Sequence, residues 1–182
     1  MKTTKFIIGE KIYLRPYEKE NDLELVYLGK NISELRETLF HFNPLTIQQV
    51  EKELDAWAND DKTKLFTICE NSTDKPVGQT AFVRVDLVSR ATVFYLAIYD
   101  PESWSKGYGT EATSLMIKYG FDILNLNRIQ LHVFAKNEKA VKAYKKCGFT
   151  IEGTLREAMY HNNEYCDFYV MSILRREYYG LK

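Results

Sequence analysis

Residues 100 to 112 read Asp100-Pro101-Glu102-Ser103-Trp104-Ser105-Lys106-Gly107-Tyr108-Gly109-Thr110-Glu111-Ala112. The apolar run before them, Ala91 to Tyr99, reads as a strand and stops at Asp100-Pro101, because proline cannot donate to a ladder. Beyond the glycines the apolar period changes. Ala112, Leu115, Met116, Tyr119 and Ile123 share one helical face, which predicts a helix from Gly107 to Asn125. A junction of this kind leaves backbone N–H groups without partners at a helix N-terminus, where the macrodipole favours negative charge. It is therefore a ready site for a phosphate or pyrophosphate. Gly107 and Gly109 would let the backbone approach the anion with no Cβ in the way. Alone, KGYG is a weak signal that a glycine-softened turn explains as well, and it matches neither GxxxxGK[ST] nor GxGxxG.

The flanking sequence supplies the rest of the sheet. Downstream, Arg128 to Ala135 reads as a strand and Asn137 to Cys147 as a helix closed by Gly148. Phe149 to Glu152 and Asp167 to Leu174 read as the last strands. Upstream, Leu65–Cys69 and Val77–Val85 flank a turn at Asn71 to Lys75. With Ala91–Tyr99 they make antiparallel hairpins, since their connections are too short for parallel crossovers. Lys11 to Arg15 is a first strand ending at Pro16. A helix is expected from Lys19 to about Leu39 on the spacing of Leu23, Val26, Tyr27, Leu35 and Leu39. Thr46 opens another: Thr46 and Gln49 fit a capping box, and Val50, Leu54 and Trp57 form its apolar stripe. The fold class is α+β with a mixed sheet, in which the strand–helix–strand unit around the Gly107 helix requires one parallel pairing.

Composition narrows the function classes. The 182 residues suit one domain spanning 1–182, and 45% hydrophobic with 27% charged residues is ordinary for a globular chain. The 25 basic and 25 acidic side chains cancel, so no global field points to nucleic acid or an anionic membrane. The run Val93 to Tyr99 is too short to span a bilayer. Cys69, Cys147 and Cys166 form no CxxC pair, and the start MKTTKFIIGEKIYLRP turns charged too early for a signal peptide. A cytoplasmic protein is expected. His41, His132 and His161 lack ligand spacing, so no metal is expected, and no GxSxG is present. Cys147 reads as a small buried hydrophobe rather than a nucleophile.

A second stretch runs Asn137-Glu138-Lys139-Ala140-Val141-Lys142-Ala143-Tyr144-Lys145-Lys146-Cys147-Gly148-Phe149. Asn137 can cap the helix, and Tyr144 lies two turns on along the same face, where core packing is its default role. Lys139, Lys142, Lys145 and Lys146 make a basic cluster, by default a solvated face and otherwise a contact for the 3′-phosphate of a nucleotide cofactor. Taken in order, the two stretches resemble the GNAT superfamily of N-acetyltransferases, with its (Q/R)xxGx(G/A) loop followed by Asn-x-x-(Ser/Ala)-x-x-x-Tyr and GF. WSKGYGTEA, NEKAVKAYKKCGFTIEGTLREAMY and EYCDFYVMSIL look like its RimJ/RimL-type branch, which acetylates protein N-termini and small amines. The resemblance covers residues 10 to 176. It implies a GNAT-type mixed, mostly antiparallel twisted sheet of about seven strands flanked by about four helices.

The resemblance further implies acetyl-CoA as acyl donor and an amine as acceptor. The amides of Lys106, Gly107, Tyr108, Gly109 and Thr110 would cradle the pyrophosphate. Leu96, Ala97, Ile98 and Tyr99 would pair with pantetheine and polarise the thioester carbonyl. Asn137 would contact the cofactor arm, Ala140 would pack beside it, and Tyr144 would protonate the departing thiolate. Two departures stand out. Trp104 holds the loop's usual Gln or Arg position, and Val93 stands near where many relatives carry a glutamate base. The base is therefore unassigned, with water, Asp86 and Glu111 as candidates; for Glu111, supporting the helix dipole is the simpler role. Two rival classes are a non-catalytic acyl-CoA-binding sensor on the same fold and an interaction domain; Tyr144 favours an enzyme over the sensor, since binding alone needs no acid by the sulfur. The acceptor is expected against the first two helices, the loop Phe40 to Pro44 and the turn Tyr160 to Glu164, with Glu34 and Glu37 as carboxylates for a cationic amine or as solvated charges. Assembly into a homodimer or larger homo-oligomer is left open.

Overall fold

The computed structural model describes residues 4–39 and 42–180, and the side chains of all of these but 37–39. In chain order it runs β1 (Ile7–Ile8), β2 (Ile12–Pro16), α1 (Lys19–Asn31), α2 (Ser33–Leu39), α3 (Ile47–Ala58), β3 (Lys64–Glu70), β4 (Pro76–Asp86) and β5 (Ala91–Ile98). A 3₁₀ turn, Pro101–Ser103, leads to α4 (Tyr108–Lys118) and a π turn at Tyr119–Ile123. β6 (Arg128–Phe134), α5 (Glu138–Lys146), β7 (Thr150–His161), β8 (Glu164–Leu174) and α6 (Arg175–Tyr178) follow. The strands form one sheet of eight, in the order β1-β2-β3-β4-β5-β6-β8-β7.

Every pairing is antiparallel except that of β5 with β6. This parallel ladder joins Ala91 to Arg128, Thr92 to Ile129 and Val93 to Gln130. Past Val93 the two strands have no paired residues, so the middle of the sheet opens into a gap. Helices cover both faces. One face packs Leu14, Ile68, Phe82 and Phe94 against Ala112, Met116 and Phe121 of the α4 segment and Val141 of α5. The other packs Leu65, Ala81, Ala97 and Tyr99 against Val26, Leu35, Val50 and Leu54 of α1–α3. The capping box at Thr46 forms, with Gln49 N donating to Thr46 Oγ1 at 3.2 Å and Thr46 N to Gln49 Oε1 at 2.8 Å.

Four differences from the sequence expectation have physical causes. The helix expected over 19–39 breaks at Ile32, whose backbone is extended, where the Asn31 side chain ties the last turn, through Tyr27 O at 2.8 Å, to Leu45 N at 3.0 Å and Leu45 O at 3.1 Å. Leu39, counted in its stripe, has a side chain outside those described. The helix after Gly107 ends as an α-helix at Lys118; the π turn takes in an extra residue and shifts the phase, so Ile123 is 71% exposed and Phe121 and Leu126 are buried instead. β7 extends far beyond Glu152, because it is an edge strand largely exposed on both faces and so shows no apolar alternation. The short β1 and α6 give no periodic signal. Among the described residues the sheet has eight strands and the α-helices number six, in line with the expected mixed, mostly antiparallel sheet of about seven strands and about four helices.

Candidate active site

Along a strand, successive residues turn their N–H and C=O to opposite edges. On β5 the odd residues face β4: Tyr99 N donates to Val77 O at 2.9 Å, and Tyr95 O accepts from Thr80 Oγ1 at 2.9 Å. The even residues therefore face the gap toward β6. The O atom of Ile98 is engaged there by Trp104 Nε1 at 3.0 Å. That leaves the Leu96 N–H and C=O and the Ile98 N–H as an open edge, the arrangement that an extended, amide-bearing chain can join as an extra strand. Side chains alternate in the same way. Phe94, Leu96 and Ile98 pack under α4 and α5, while Tyr95, Ala97 and Tyr99 lie on the α1–α3 face.

The helix N-terminus sits at the end of this edge. Gly107 is the N-cap at φ 89°, a left-handed conformation that glycine adopts freely, and no side chain caps the helix. Glu111 N is the first amide of the helix with a backbone acceptor, Gly107 O at 3.0 Å, so Tyr108, Gly109 and Thr110 present their N–H groups outward. A Cβ on Gly109 would lie 3.4 Å from Leu96 Cδ2, which places the loop directly beside the open strand edge. Four contacts brace the loop. Lys11 Nζ donates to Lys106 O at 3.3 Å, the Tyr108 hydroxyl bonds Glu70, and Asp100 holds Ser103 Oγ at 3.0 Å and Lys75 Nζ at 2.7 Å. Lys106 is itself exposed, with its Nζ 5.8 Å from the Tyr108 ring.

Both carboxylates considered as bases have structural partners. Glu111 Oε1 accepts from Glu10 N at 2.5 Å and Lys11 N at 3.0 Å, fixing the β1–β2 turn. Asp86 Oδ1 accepts from Val88 N at 2.8 Å and Ser89 N at 3.2 Å, closing the β4–β5 turn. Val93 occupies the last paired position before the gap.

From the far side of the gap, α5 brings Tyr144 to β5. Its ring meets Phe94 edge-on at 6.3 Å and Phe149 at 5.8 Å, and its hydroxyl has no partner among the described residues. Burial pushes the Tyr144 pKa well above the ordinary phenol value, so the group remains protonated. Asn137 caps α5, its Oδ1 accepting from Ala140 N at 3.1 Å, which leaves Nδ2 as the side-chain donor for any other partner. Ala140 is half-buried beside the core. Of the lysine cluster, Lys142 pairs with Glu138 at 3.0 Å on the exposed face.

On the opposite face Tyr95 of β5 meets Tyr99, one residue past the end of that strand, Tyr95 Oη to Tyr99 Oη at 2.8 Å. Sequence reasoning missed both this pair and the indole bond of Trp104. Trp104 was visible as a departure from a motif, whereas two tyrosines four apart carry no signal beyond packing. Of the expected acceptor residues, Glu34 is exposed and accepts from Ser33 Oγ at 2.8 Å. The Glu37 side chain, Phe40 and His41 fall outside the described residues. The turn at Asn162–Asn163 closes β7 on β8, with the Tyr160 and Tyr165 rings 5.2 Å apart. Among the described residues there is no cluster of groups able to hold a metal, and no helix long and apolar enough to cross a membrane.

Residues 11–150 match the acetyltransferase (GNAT) domain family. The spermidine N(1)-acetyltransferase of Escherichia coli K12 is 30% identical over 171 residues, spanning 93% of this chain and 89% of its own length. The crystal structure of Vibrio cholerae spermidine N-acetyltransferase in complex with CoA and spermine superposes with a TM-score of 0.85 at 28% identity, covering 94% of this chain and 99% of that one. A dodecameric structure of the same Vibrio cholerae enzyme gives 0.78 at 28% identity, covering 93% and 97%.

Proposed function

The chain belongs to the GNAT acetyltransferase family and is an acetyl-CoA-dependent N-acetyltransferase, and on that premise we propose that its acceptor is a polyamine. One observation carries this reading: the similarity to spermidine acetyltransferases spans nearly the whole of both chains, including the α1–α3 segments that cover the acceptor face, and not the cofactor half alone. A protein N-terminus is the second reading, supported by the RimJ/RimL-type wording of WSKGYGTEA and EYCDFYVMSIL. We read residues 1–182 as one catalytic domain of a cytoplasmic homo-oligomer, in line with the dodecameric relative.

In this reading the outward amides of Tyr108, Gly109 and Thr110, with the neighbouring Lys106 and Gly107, receive the pyrophosphate. Pantetheine lies along the Leu96–Ile98 edge as an added strand, and the Leu96 N–H is the donor best placed for the thioester oxygen. Holding both substrates and stabilising the developing oxyanion supply most of the acceleration. Tyr144, protonated and without a competing partner among the described residues, gives its proton to the departing thiolate. The test is CoA release with purified protein, acetyl-CoA and a panel of spermidine, spermine, amino acids and N-terminal peptides. Polyamines should show the highest kcat/KM. A peptide outpacing every polyamine overturns the acceptor, and no CoA release with any amine overturns acetyl transfer.

A further inference from the structure

The nitrogen that attacks the thioester needs a group to orient it, and neither Val93 nor the engaged Glu111 and Asp86 can serve. The loop before α4 and Tyr144 on α5 belong to one face of β5, so the cofactor and its acid occupy that side. The thioester carbon is then open to an amine only through the gap, from the α1–α3 face. Tyr95 lies two residues past the last paired position, Val93, with its ring packed on the α1–α3 face. It directly follows Phe94, the residue on which Tyr144 rests.

The pair is built to hold one hydroxyl still. Residues four apart on a strand are about 13 Å apart at roughly 3.3 Å per residue, so two phenols meet only by leaning together. The small side chain of Ala97 between them leaves the space, and the hydroxyls close to 2.8 Å. Gly29 of α1 presses on Tyr99 so closely that a Cβ there would fall 2.5 Å from the ring. Trp57 of α3 meets the Tyr95 ring edge-on at 5.2 Å. Tyr99 is 2% exposed, whereas Tyr95 is only half-buried, so the pair has a closed end and an open one.

We propose that Tyr95, held in place by Tyr99, receives the acceptor amine, its phenol oxygen accepting a hydrogen bond from the attacking nitrogen. Burial pushes the Tyr95 pKa up to about 12, with the Tyr99 bond pulling the other way, so the oxygen acts as a neutral acceptor and not as the final base. The balance of the step is simple. The nitrogen lone pair forms the C–N bond, the C–S bond breaks, the nitrogen loses one proton to water, the thiolate takes one from Tyr144, and Tyr144 regains one from water.

This proposal rests on acetyl transfer but not on polyamine as the acceptor, so its test uses whichever amine the wild-type protein turns over best. Tyr95→Phe should lower kcat/KM for the amine at least about tenfold, while KM for acetyl-CoA and the melting temperature stay at wild-type values. Tyr99→Phe, which frees Tyr95 without removing it, should give a smaller loss, again in the amine parameters alone. Unchanged amine kinetics in Tyr95→Phe, or a loss falling equally on both substrates, overturns the assignment. If Tyr95→Phe does not fold, Tyr99→Phe decides: unaltered amine kinetics there sinks the proposal. A wild-type protein inactive with every amine would instead overturn the proposed function.

Discussion

On the α4–α5 side of β5, the groups of the proposed cofactor site come from one stretch of chain, residues 94 to 144. The α1–α3 side is assembled from pieces far apart in sequence: Arg15 of β2, Asp22 and Gly29 of α1, Trp57 of α3, Thr67 of β3, and Tyr95 and Tyr99 at β5. The first side leaves its amides unpaired at a helix start and a strand edge, braced by contacts from Lys11, Glu70 and Asp100. The second buries polar groups and satisfies them against one another. A cofactor of constant shape can be met by a local motif, whereas a side assembled from several elements needs internal bonds to keep its walls in place.

Removing the buried carboxylate should break this contrast most severely. Asp22 is fully buried and takes a two-pronged bond from Arg15, Nη1 at 2.8 Å and Nη2 at 2.6 Å, with Glu18 N and Thr67 Oγ1 also donating to it. Arg15 is 2% exposed, so loss of its partner strands a buried charge. Asp22→Ala should cost about 3–5 kcal/mol of stability in urea denaturation. A loss below about 1 kcal/mol would mean that the α1–α3 side is not held by its polar core.

Next in size is the change at Tyr144, the acid of the proposed reaction. Tyr144→Phe retains the ring contacts with Phe94 and Phe149, so the fold and acetyl-CoA affinity should be kept. Its kcat should fall roughly tenfold to a thousandfold, measured by CoA release. The raised pKa sets a sign: wild-type kcat should show no loss from Tyr144 deprotonation until the pH is well above the ordinary phenol value. Full activity in a folded Phe variant would remove Tyr144 from the reaction and leave water to protonate the thiolate.

The contrast between the two sides also explains what the sequence made legible. Gly107, Gly109, Asn137 and Tyr144 stand on one strand–helix–strand–helix run, and it was the resemblance of that run to a family motif, not spacing alone, that singled them out. The parallel β5–β6 pairing followed from the same run. What spacing cannot express is the direction in which a backbone group points. Leu96, Ala97, Ile98 and Tyr99 were expected to act together, yet Tyr99 gives its amide to Val77 and Ile98 its carbonyl to Trp104, which leaves Leu96 as the residue with both groups facing the gap. The tyrosine pair and the Arg15–Asp22 bond depend on which elements the sheet brings together, and no local pattern records that. β7 was read short because an edge strand exposed on both faces needs no apolar alternation.

The smallest effect tests whether the contrast is one of burial or of chemistry. Arg128 of β6 and Glu152 of β7 repeat the two-pronged arrangement of Arg15 and Asp22, with Nη1 to Oε1 at 2.8 Å and Nη2 on Oε2, and with Ser172 Oγ at 3.1 Å from Nη1. Here, however, the side chains are 28% and 36% exposed. The Arg128 hydrogen bond lowers the Glu152 pKa to about 2, helped by Ser172 and opposed by burial. A carboxylate whose folded pKa lies below its unfolded value of about 4.3 stabilises the fold above that pH and ceases to do so as the pH falls toward 2. At this exposure water screens the pair, so its worth at neutral pH should be under about 1 kcal/mol. Glu152→Gln should therefore destabilise slightly at pH 7. The gap to wild type should narrow between about pH 5 and pH 2, and also in high salt. If Glu152→Gln cost as much as Asp22→Ala, the geometry of the pair would decide its strength; a small, salt-sensitive loss assigns the difference to burial, since the chemistry of the two pairs is the same.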